Sequence, residues 1–126
     1  KRLVTLFFVL AVCGTGAVAQ EGAYKTVKDI AYRDAAGDGN IDTMCRLDIY
    51  YPVGKTGFST VVWYHGGGLT GGQREIPEAL KDKGLAVVGV ESRLSPAVKV
   101  ADCVDDAAAA AASATQSATF TRGARR

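Results

Sequence analysis

Ser59-Thr60-Val61-Val62-Trp63-Tyr64-His65-Gly66-Gly67-Gly68 is the stretch from which the fold of this chain can be inferred. Its first six residues form a short apolar run, typical of a strand that is buried on both faces of a parallel sheet. The glycines that follow have no Cβ atoms and can adopt positive φ, so that another molecule can approach the main chain closely. Backbone N–H groups that converge in such a loop suit an anion formed during a reaction.

A second short apolar run lies downstream and predicts a partner strand. It occupies residues 85–90, and residues 75–83 between the two runs have helix-forming character. Pro77 suits the first turn of that helix, and Gly84 suits the position at which it would end. Strand, helix and parallel strand together form a βαβ unit.

The segments before and after this unit complete the predicted secondary structure. Residues 24–33 place Val27 and Ile30 among polar side chains, as in a half-exposed strand, and residues 45–50 alternate apolar and polar side chains. Together they predict an antiparallel hairpin, joined by the turn-forming residues 34–40. Pro52 is placed to end the second strand. Residues 98–112 form the strongest predicted helix. The fold class is therefore α/β, with an antiparallel hairpin that leads into a parallel βαβ unit.

The N-terminal segment matches a secretory signal peptide. Lys1 and Arg2 precede the apolar residues 3–12, and an A-x-A site ends at Ala19. We predict cleavage there, an exported protein and a partial domain over residues 20–112. A buried N-terminal strand or helix is the alternative. Cys13 also lies in a segment that resembles a bacterial lipoprotein box, so lipid anchoring stays open as a second alternative.

The C-terminal residues 113–126 differ in composition from the rest. This segment, SATQSATFTRGARR, has no acidic residue and one large apolar side chain, Phe120. It shows neither strand nor helix periodicity, which predicts disorder. The abrupt change indicates an out-of-frame or truncated ending, and a natural tail is the alternative.

Charge and cysteine content exclude some functions. The net charge is +2, but residues 20–111 carry 10 basic and 13 acidic side chains. With no basic face indicated, nucleic acid is not a predicted partner. Cys45 and Cys103 could form a disulfide or remain buried free thiols. No Cys/His spacing predicts a zinc site, and we predict no metal and no cofactor.

The glycine loop also satisfies a nucleotide-binding pattern. Residues 66–71 read G-x-G-x-x-G, and Glu91 stands where an NAD-binding domain places its ribose-binding acid. The bulky side chains of Trp63 and His65 and the delayed start of the helix argue against a pyrophosphate site. NAD-type binding and a purely structural glycine turn are kept as alternatives.

His65 is the only histidine of the chain. Its place between a strand and glycines favours a structuring role, in which the ring holds the loop through hydrogen bonds. A general base is the alternative. Asp102, Asp105 and Asp106 lie near the start of the last helix, where they are expected to complement its dipole.

Taken together, these motifs resemble the α/β-hydrolase superfamily. The similar group is that of the HGGG-type carboxylesterases and lipases, which includes bacterial exported esterases. The resemblance extends over residues 24–111 and rests on these segments: Leu47-Asp48-Ile49-Tyr50-Tyr51-Pro52, the strand into His65-Gly66-Gly67-Gly68, Leu85-Ala86-Val87-Val88-Gly89-Val90 and Ser92-Arg93-Leu94-Ser95-Pro96.

This resemblance implies ester hydrolysis through an acyl-enzyme, with a small-molecule ester as substrate. It implies that Gly67 and Gly68 supply oxyanion-hole N–H groups, while His65 and Gly66 shape the loop. The sequence contains no G-x-S-x-G nucleophile motif and no second histidine. We therefore predict an N-terminal part of such an enzyme, inactive by itself, with a non-catalytic structural remnant as the alternative.

Overall fold

A computed structural model describes residues 23–123, with side chains described as far as residue 116. The predicted signal peptide and Cys13 lie outside the described residues. Within the described part, four strands form one mixed sheet in the order β1-β2-β4-β3. The strands are β1 Tyr24–Ala31, β2 Arg46–Pro52, β3 Thr60–Tyr64 and β4 Ala86–Val90.

The predicted hairpin and the predicted parallel pair are both present. β1 pairs antiparallel with β2, with Val27 opposite Ile49. β3 pairs parallel with β4, with Val61 opposite Val87. β2 joins the two halves because it also pairs antiparallel with β4. The sheet therefore confirms the predicted partial α/β architecture.

The loop of the hairpin is more regular than predicted. Part of it forms a short helix, α1 (Gly39–Met44), where the sequence predicted turn residues alone. The Asp38 side chain caps this helix by accepting hydrogen bonds from the backbone N–H groups of Asn40 and Ile41, at 2.9 and 3.4 Å. Asp38, which we predicted to lie in a turn, is the N-cap of this helix.

The helix predicted over residues 75–83 is wrong. Only one 3₁₀ turn, Glu78–Leu80, forms there. Pro77 and Lys81 on either side are extended, and Asp82 has a positive φ of 58°. A segment this short is marginal as a helix unless packing supports it. Its start instead lies flat on the sheet, where a Cβ on Gly89 would meet the Glu75 carbonyl oxygen at 2.3 Å.

The last helix, α2 (Val100–Gly123), is longer than predicted. We predicted disorder for residues 113–126, and the structure instead continues the helix to Gly123. The alanine-rich run has the highest helix propensity. Ala114, inside the predicted disordered tail, is only 2% exposed. Tertiary burial of that side chain extends the helix beyond residue 112; the proposed out-of-frame origin of the tail stays a prediction.

One face of the sheet packs against α2 and forms the core. Small alanine side chains let the helix approach closely, and the cluster consists of Leu47, Ile49, Val88, Val90, Ala110 and Ala114. The crossover segment that follows β3 packs on the opposite face, beside Gly89. This arrangement leaves the loop after β3 at the carboxyl end of the parallel pair, where open α/β sheets bind their ligands.

Candidate active site

The glycine loop begins directly at the end of β3. Gly67 and Gly68 have φ of 121° and 61°, and Leu69 continues in the left-handed region at 66°. Such conformations are costly for residues with a side chain. Glycine at positions 67 and 68 therefore adopts these conformations without that cost.

Close packing within the loop imposes a second demand for glycine. A Cβ on Gly67 would lie 2.1 Å from the Gly71 carbonyl oxygen. A Cβ on Gly72 would lie 2.1 Å from Nδ1 of His65. At Gly68, by contrast, a Cβ would meet open space. Gly67 thus closes the loop upon itself, while Gly68 lies on its open side.

The loop is anchored through its carbonyl groups. The Gly67 carbonyl accepts hydrogen bonds from the backbone N–H and the hydroxyl of Thr70, both at 3.1 Å. The Leu69 carbonyl accepts from the Ser95 N–H at 2.8 Å. No acceptor for the N–H groups of Gly67 and Gly68 lies among residues 23–123. The loop therefore has two backbone donors that remain available to a ligand.

His65 holds the loop from its strand end. Its Nδ1 lies 2.8 Å from the Gly66 carbonyl oxygen and its Nε2 lies 3.1 Å from Oε1 of Glu91. Both partners are acceptors, so the ring donates to both only when both nitrogens carry protons. The ring is 10% exposed and engaged on both edges, which is a positioning arrangement.

Glu91 connects the ends of the two parallel strands. Its second oxygen accepts a hydrogen bond from the Arg74 backbone N–H at 2.8 Å. The carboxylate that the sequence offered as a ribose ligand is therefore bound within the protein. No helix begins within residues 66–77, although a pyrophosphate site needs a helix N-terminus there. These two observations disfavour the NAD alternative.

A cavity of about 140 Å³ opens beside the loop. Its walls come from the end of β3, the loop, the end of β4 and α2, and they are largely apolar. The lining residues are Tyr64, His65, Leu69, Val90, Ser92, Leu94, Cys103 and Ala107. A space of this size suits a small apolar group.

A buried ion-pair cluster supports the wall of this site, and the sequence reasoning missed it. Asp106 of α2 is completely buried and binds both Arg93 and Arg33. Burial alone would raise the pKa of this carboxyl, but hydrogen bonds from Arg93 and then Arg33 outweigh burial and lower it. The hydrogen bonds to Asp106 also raise the pKa of Arg93. The expectation that Asp106 only complements the helix dipole is therefore wrong.

The sequence indicated the importance of Asp106 only in part. It places three aspartates on one predicted helix, but their spacing does not show which of them faces the core. Asp105 is exposed and Asp106 is buried. Arg93 lies in the segment that resembles the hydrolases, and its ion pair with Asp106 can be recognised only from the tertiary structure.

The two cysteines of the described part do not pair. Cys45 and Cys103 are free and buried. Burial raises the pKa of the Cys45 thiol, which keeps it protonated near neutral pH. The disulfide alternative is not realised, and both side chains act as small apolar groups.

Within residues 23–123 no cluster of three or more His, Cys, Asp or Glu side chains has the arrangement of a metal site. In the same part of the chain, no helix has the length and hydropathy needed to cross a bilayer.

The assignment of Gly67 and Gly68 as oxyanion donors stays a prediction.

Solved structures of an esterase resemble this chain. Esterase B from Lactobacillus rhamnosis (HN001) has a TM-score of 0.60 and 28% identity, over 70% of this chain and 28% of that one. Esterase B from Lactobacillus rhamnosis in a C6-C4 SN3 inhibited form has a TM-score of 0.57 and 28% identity, over 68% and 28%. This chain thus spans about 28% of the esterase's length. No protein-family model and no curated protein matches the sequence.

Proposed function

Because the described residues form part of the α/β-hydrolase fold seen in esterase B, we propose that this chain is the oxyanion-stabilising part of a carboxylic-ester hydrolase. The observation that carries the proposal is the loop after β3. There Gly67 and Gly68 adopt positive φ and keep free N–H groups at the carboxyl end of two parallel strands.

The chemistry follows from the charge that an ester develops when it is attacked. The carbonyl oxygen becomes an oxyanion, and preorganised N–H donors lower the energy of that state more than that of the uncharged ester. Rigid placement matters because the donors then need no reorganisation during the reaction. The contacts of His65 with Gly66 and Glu91 supply that rigidity.

The chain supplies only one part of the machinery. Acyl transfer also needs a nucleophile and a base, and the printed sequence has no G-x-S-x-G motif. His65, its single histidine, is already bound on both ring nitrogens. We propose that the chain by itself does not hydrolyse esters and corresponds to an N-terminal part of a longer enzyme.

A chimera tests the oxyanion role. The aligned portion of esterase B is replaced by the corresponding residues of this chain, and hydrolysis of p-nitrophenyl acetate is measured. We expect Gly68→Ala to lower kcat about 100-fold, because displacing one oxyanion donor has an effect of that order. Gly57→Ala is the matched control, since Gly57 also has positive φ and open space around its Cβ position.

Two outcomes would contradict the proposal. One is an active chimera that keeps its kcat when Gly67 and Gly68 are both replaced by alanine. The other is turnover by the purified 126-residue chain that a serine-directed inhibitor abolishes. Loss of activity in Gly57→Ala to the same extent as in Gly68→Ala would show a folding effect instead.

Export is part of the same proposal. The basic start, the apolar residues 3–12 and the A-x-A site support cleavage after Ala19. Expression in a bacterium followed by N-terminal sequencing of the exported product is expected to give Gln20 as the first residue. A product that retains lipid on Cys13 would support the anchoring alternative, and one that keeps residues 1–19 would contradict export by cleavage.

The coding DNA offers a further test of the longer enzyme. Reading past codon 112 in all three frames is expected to reveal an apolar strand followed by G-x-S-x-G in another frame. Its absence from every frame would count against an out-of-frame ending.

A further inference from the structure

The glycine loop is held at two places, and the second of them lies in the segment that follows β4. His65 and Glu91 hold the start of the loop. Further along, the carbonyl of Leu69 accepts a hydrogen bond from the Ser95 N–H at 2.8 Å. Leu69 directly follows Gly68, so the contacts that fix Ser95 also fix the backbone beside the second N–H donor.

Leu69 is the residue of the loop whose conformation needs such a contact. Its φ of 66° lies in the left-handed region, although leucine carries a Cβ. A residue other than glycine keeps this conformation only when its surroundings enforce it, and such residues cluster at functional sites. The hydrogen bond from Ser95 holds the carbonyl of Leu69 in the direction that this conformation gives it.

Arg93 in turn fixes the segment that contains Ser95. Its guanidinium donates to the buried Asp106 carboxylate from Nε at 2.8 Å and from Nη2 at 2.9 Å. Its backbone N–H donates to the same carboxylate at 3.2 Å. Between Arg93 and Ser95, the carbonyl of Leu94 accepts from the Val98 N–H at 3.2 Å. One carboxylate of α2 therefore holds both the side chain and the main chain two residues before Ser95.

The buried ion pair is better explained by precision than by stability. Removing two charges from water offsets much of their attraction, so apolar packing would stabilise the fold about as well. A buried polar network makes its surroundings rigid when every member is hydrogen-bonded. Among the described residues, every buried side-chain nitrogen and oxygen has a partner. Arg93 and Asp106 therefore meet the condition for a rigid support.

We propose that Arg93 and Asp106 are positioning residues for the oxyanion loop. They hold Ser95, whose N–H keeps Leu69 in its left-handed conformation and so sets the direction of the N–H groups beside it. The inference rests on the proposed function, because it gives this support a consequence for catalysis. Every contact from Asp106 to Leu69 is made within the described part of the chain.

Arg33 provides a matched control for Arg93. It binds the same Asp106 carboxylate, but from the end of β1 and not from the segment that carries Ser95. Lysine in place of either arginine keeps the positive charge and loses the planar fork that makes two parallel hydrogen bonds. Arg93→Lys therefore loosens the segment before Ser95, whereas Arg33→Lys disturbs the carboxylate from the other side.

Hydrogen exchange of the full 126-residue chain tests the support without any enzyme activity. We expect Arg93→Lys to speed exchange of the Ser95 amide about tenfold, because opening of this segment becomes less costly. Arg33→Lys should change it by less than about twofold. The Ala86 amide, which donates to the Ser59 carbonyl, reports opening of the sheet, and both variants should speed its exchange. A Ser95 amide that ignores Arg93→Lys, or responds equally to Arg33→Lys, would overturn the proposal.

The chimera with esterase B, built to carry both Arg93 and Asp106, tests the consequence for catalysis. We expect Arg93→Lys to lower kcat about tenfold and to change KM by less than about twofold, because misplaced donors weaken binding of the transition state more than binding of the ester. Arg33→Lys should keep both constants. If Gly68→Ala lowers kcat and Arg93→Lys does not, this inference fails and the proposed function stands. If Gly68→Ala has no effect, the proposed function fails, and Ser95 exchange still decides whether the ion pair holds the loop.

A pair of variants at Leu69 covers the case in which Arg93→Lys does not fold. Leu69→Ala and Leu69→Gly both remove the side chain, but only glycine adopts positive φ freely. We expect Leu69→Gly to have the higher urea midpoint and yet a kcat about fivefold lower than Leu69→Ala in the chimera, since its loop is less constrained. A purely structural role would move both quantities in the same direction. Equal kcat values would show that holding Leu69 does not position the donors, which would overturn the proposal.

Discussion

Asp106 is completely buried in α2 and binds the Arg93 guanidinium side by side, with Nε to Oδ2 at 2.8 Å and Nη2 to Oδ1 at 2.9 Å. The Arg93 backbone N–H donates to the same carboxylate at 3.2 Å. This relationship ties the segment after β4 to the helix that covers the core. It therefore holds Ser92 and Leu94 in the wall of the cavity beside the glycine loop.

Replacing this carboxylate should destabilise the fold strongly. We expect Asp106→Asn to lower the free energy of unfolding by about 3 kcal/mol, because it leaves a buried guanidinium without its counter-charge. Urea denaturation followed by the fluorescence of Trp63, the only tryptophan, measures the change. Asp105→Asn is the control. Because Asp105 is exposed, this substitution should change the free energy of unfolding by less than about 0.5 kcal/mol. Equal effects of the two variants would contradict the assigned role.

The same ion pair predicts a loss of stability in acid. Burial acts to raise the pKa of the Asp106 carboxyl, but hydrogen bonds from Arg93 and then Arg33 together outweigh burial and lower that pKa in the folded state. Its contribution is therefore present above the unfolded-state pKa of about 4 and is lost as pH falls through the lower folded-state value. When the urea midpoint is measured at successively lower pH, it should decrease once the pH is below about 4. The slope of that fall should be smaller in Asp106→Asn; an unchanged slope would refute the linkage.

The two loop glycines should respond differently to alanine. Both have positive φ, which a Cβ makes costly by about 1–2 kcal/mol. Only at Gly67 would the added Cβ also meet the Gly71 carbonyl oxygen, at 2.1 Å. We expect Gly67→Ala to lower the urea midpoint more than Gly68→Ala does. A larger loss for Gly68→Ala would mean that the loop does not close upon Gly71 as described.

Glu91 should determine how rigid the loop is. Glu91→Ala removes the acceptor of His65 Nε2 and of the Arg74 N–H. Hydrogen exchange of the Thr70 amide, which donates to the Gly67 carbonyl within the loop, is expected to speed up by about tenfold, because local opening of the loop becomes less costly. Glu78→Ala provides the comparison, because the side chain of Glu78 is 85% exposed and lies away from the loop. Unchanged exchange in Glu91→Ala would show that His65 is held by other contacts.

The sheet was largely predictable because its signals are local. Period-two alternation marked β2, the apolar Val27 and Ile30 among polar residues marked β1, and short apolar runs marked β3 and β4. The prediction that both runs are buried on both faces is correct for β4 and wrong for β3, whose Trp63 and Tyr64 are exposed. The triple glycine after β3 likewise predicted a loop with positive φ. The helix over residues 75–83 failed because residues 75 and 76 are held extended on the sheet at Gly89, a contact that propensity does not contain.

The sequence by itself determined the type of each strand, the position of the glycine loop and the absence of a nucleophile motif, because side-chain patterning and residue identity are properties of the linear chain. Only the tertiary structure decided that Asp106 and not Asp105 is buried, that Glu91 holds His65, and that Ala114 belongs to the core. Each of these depends on which distant segment packs opposite a residue. It also decided the strand order β1-β2-β4-β3, since strand order is set by pairing between segments that are distant in sequence.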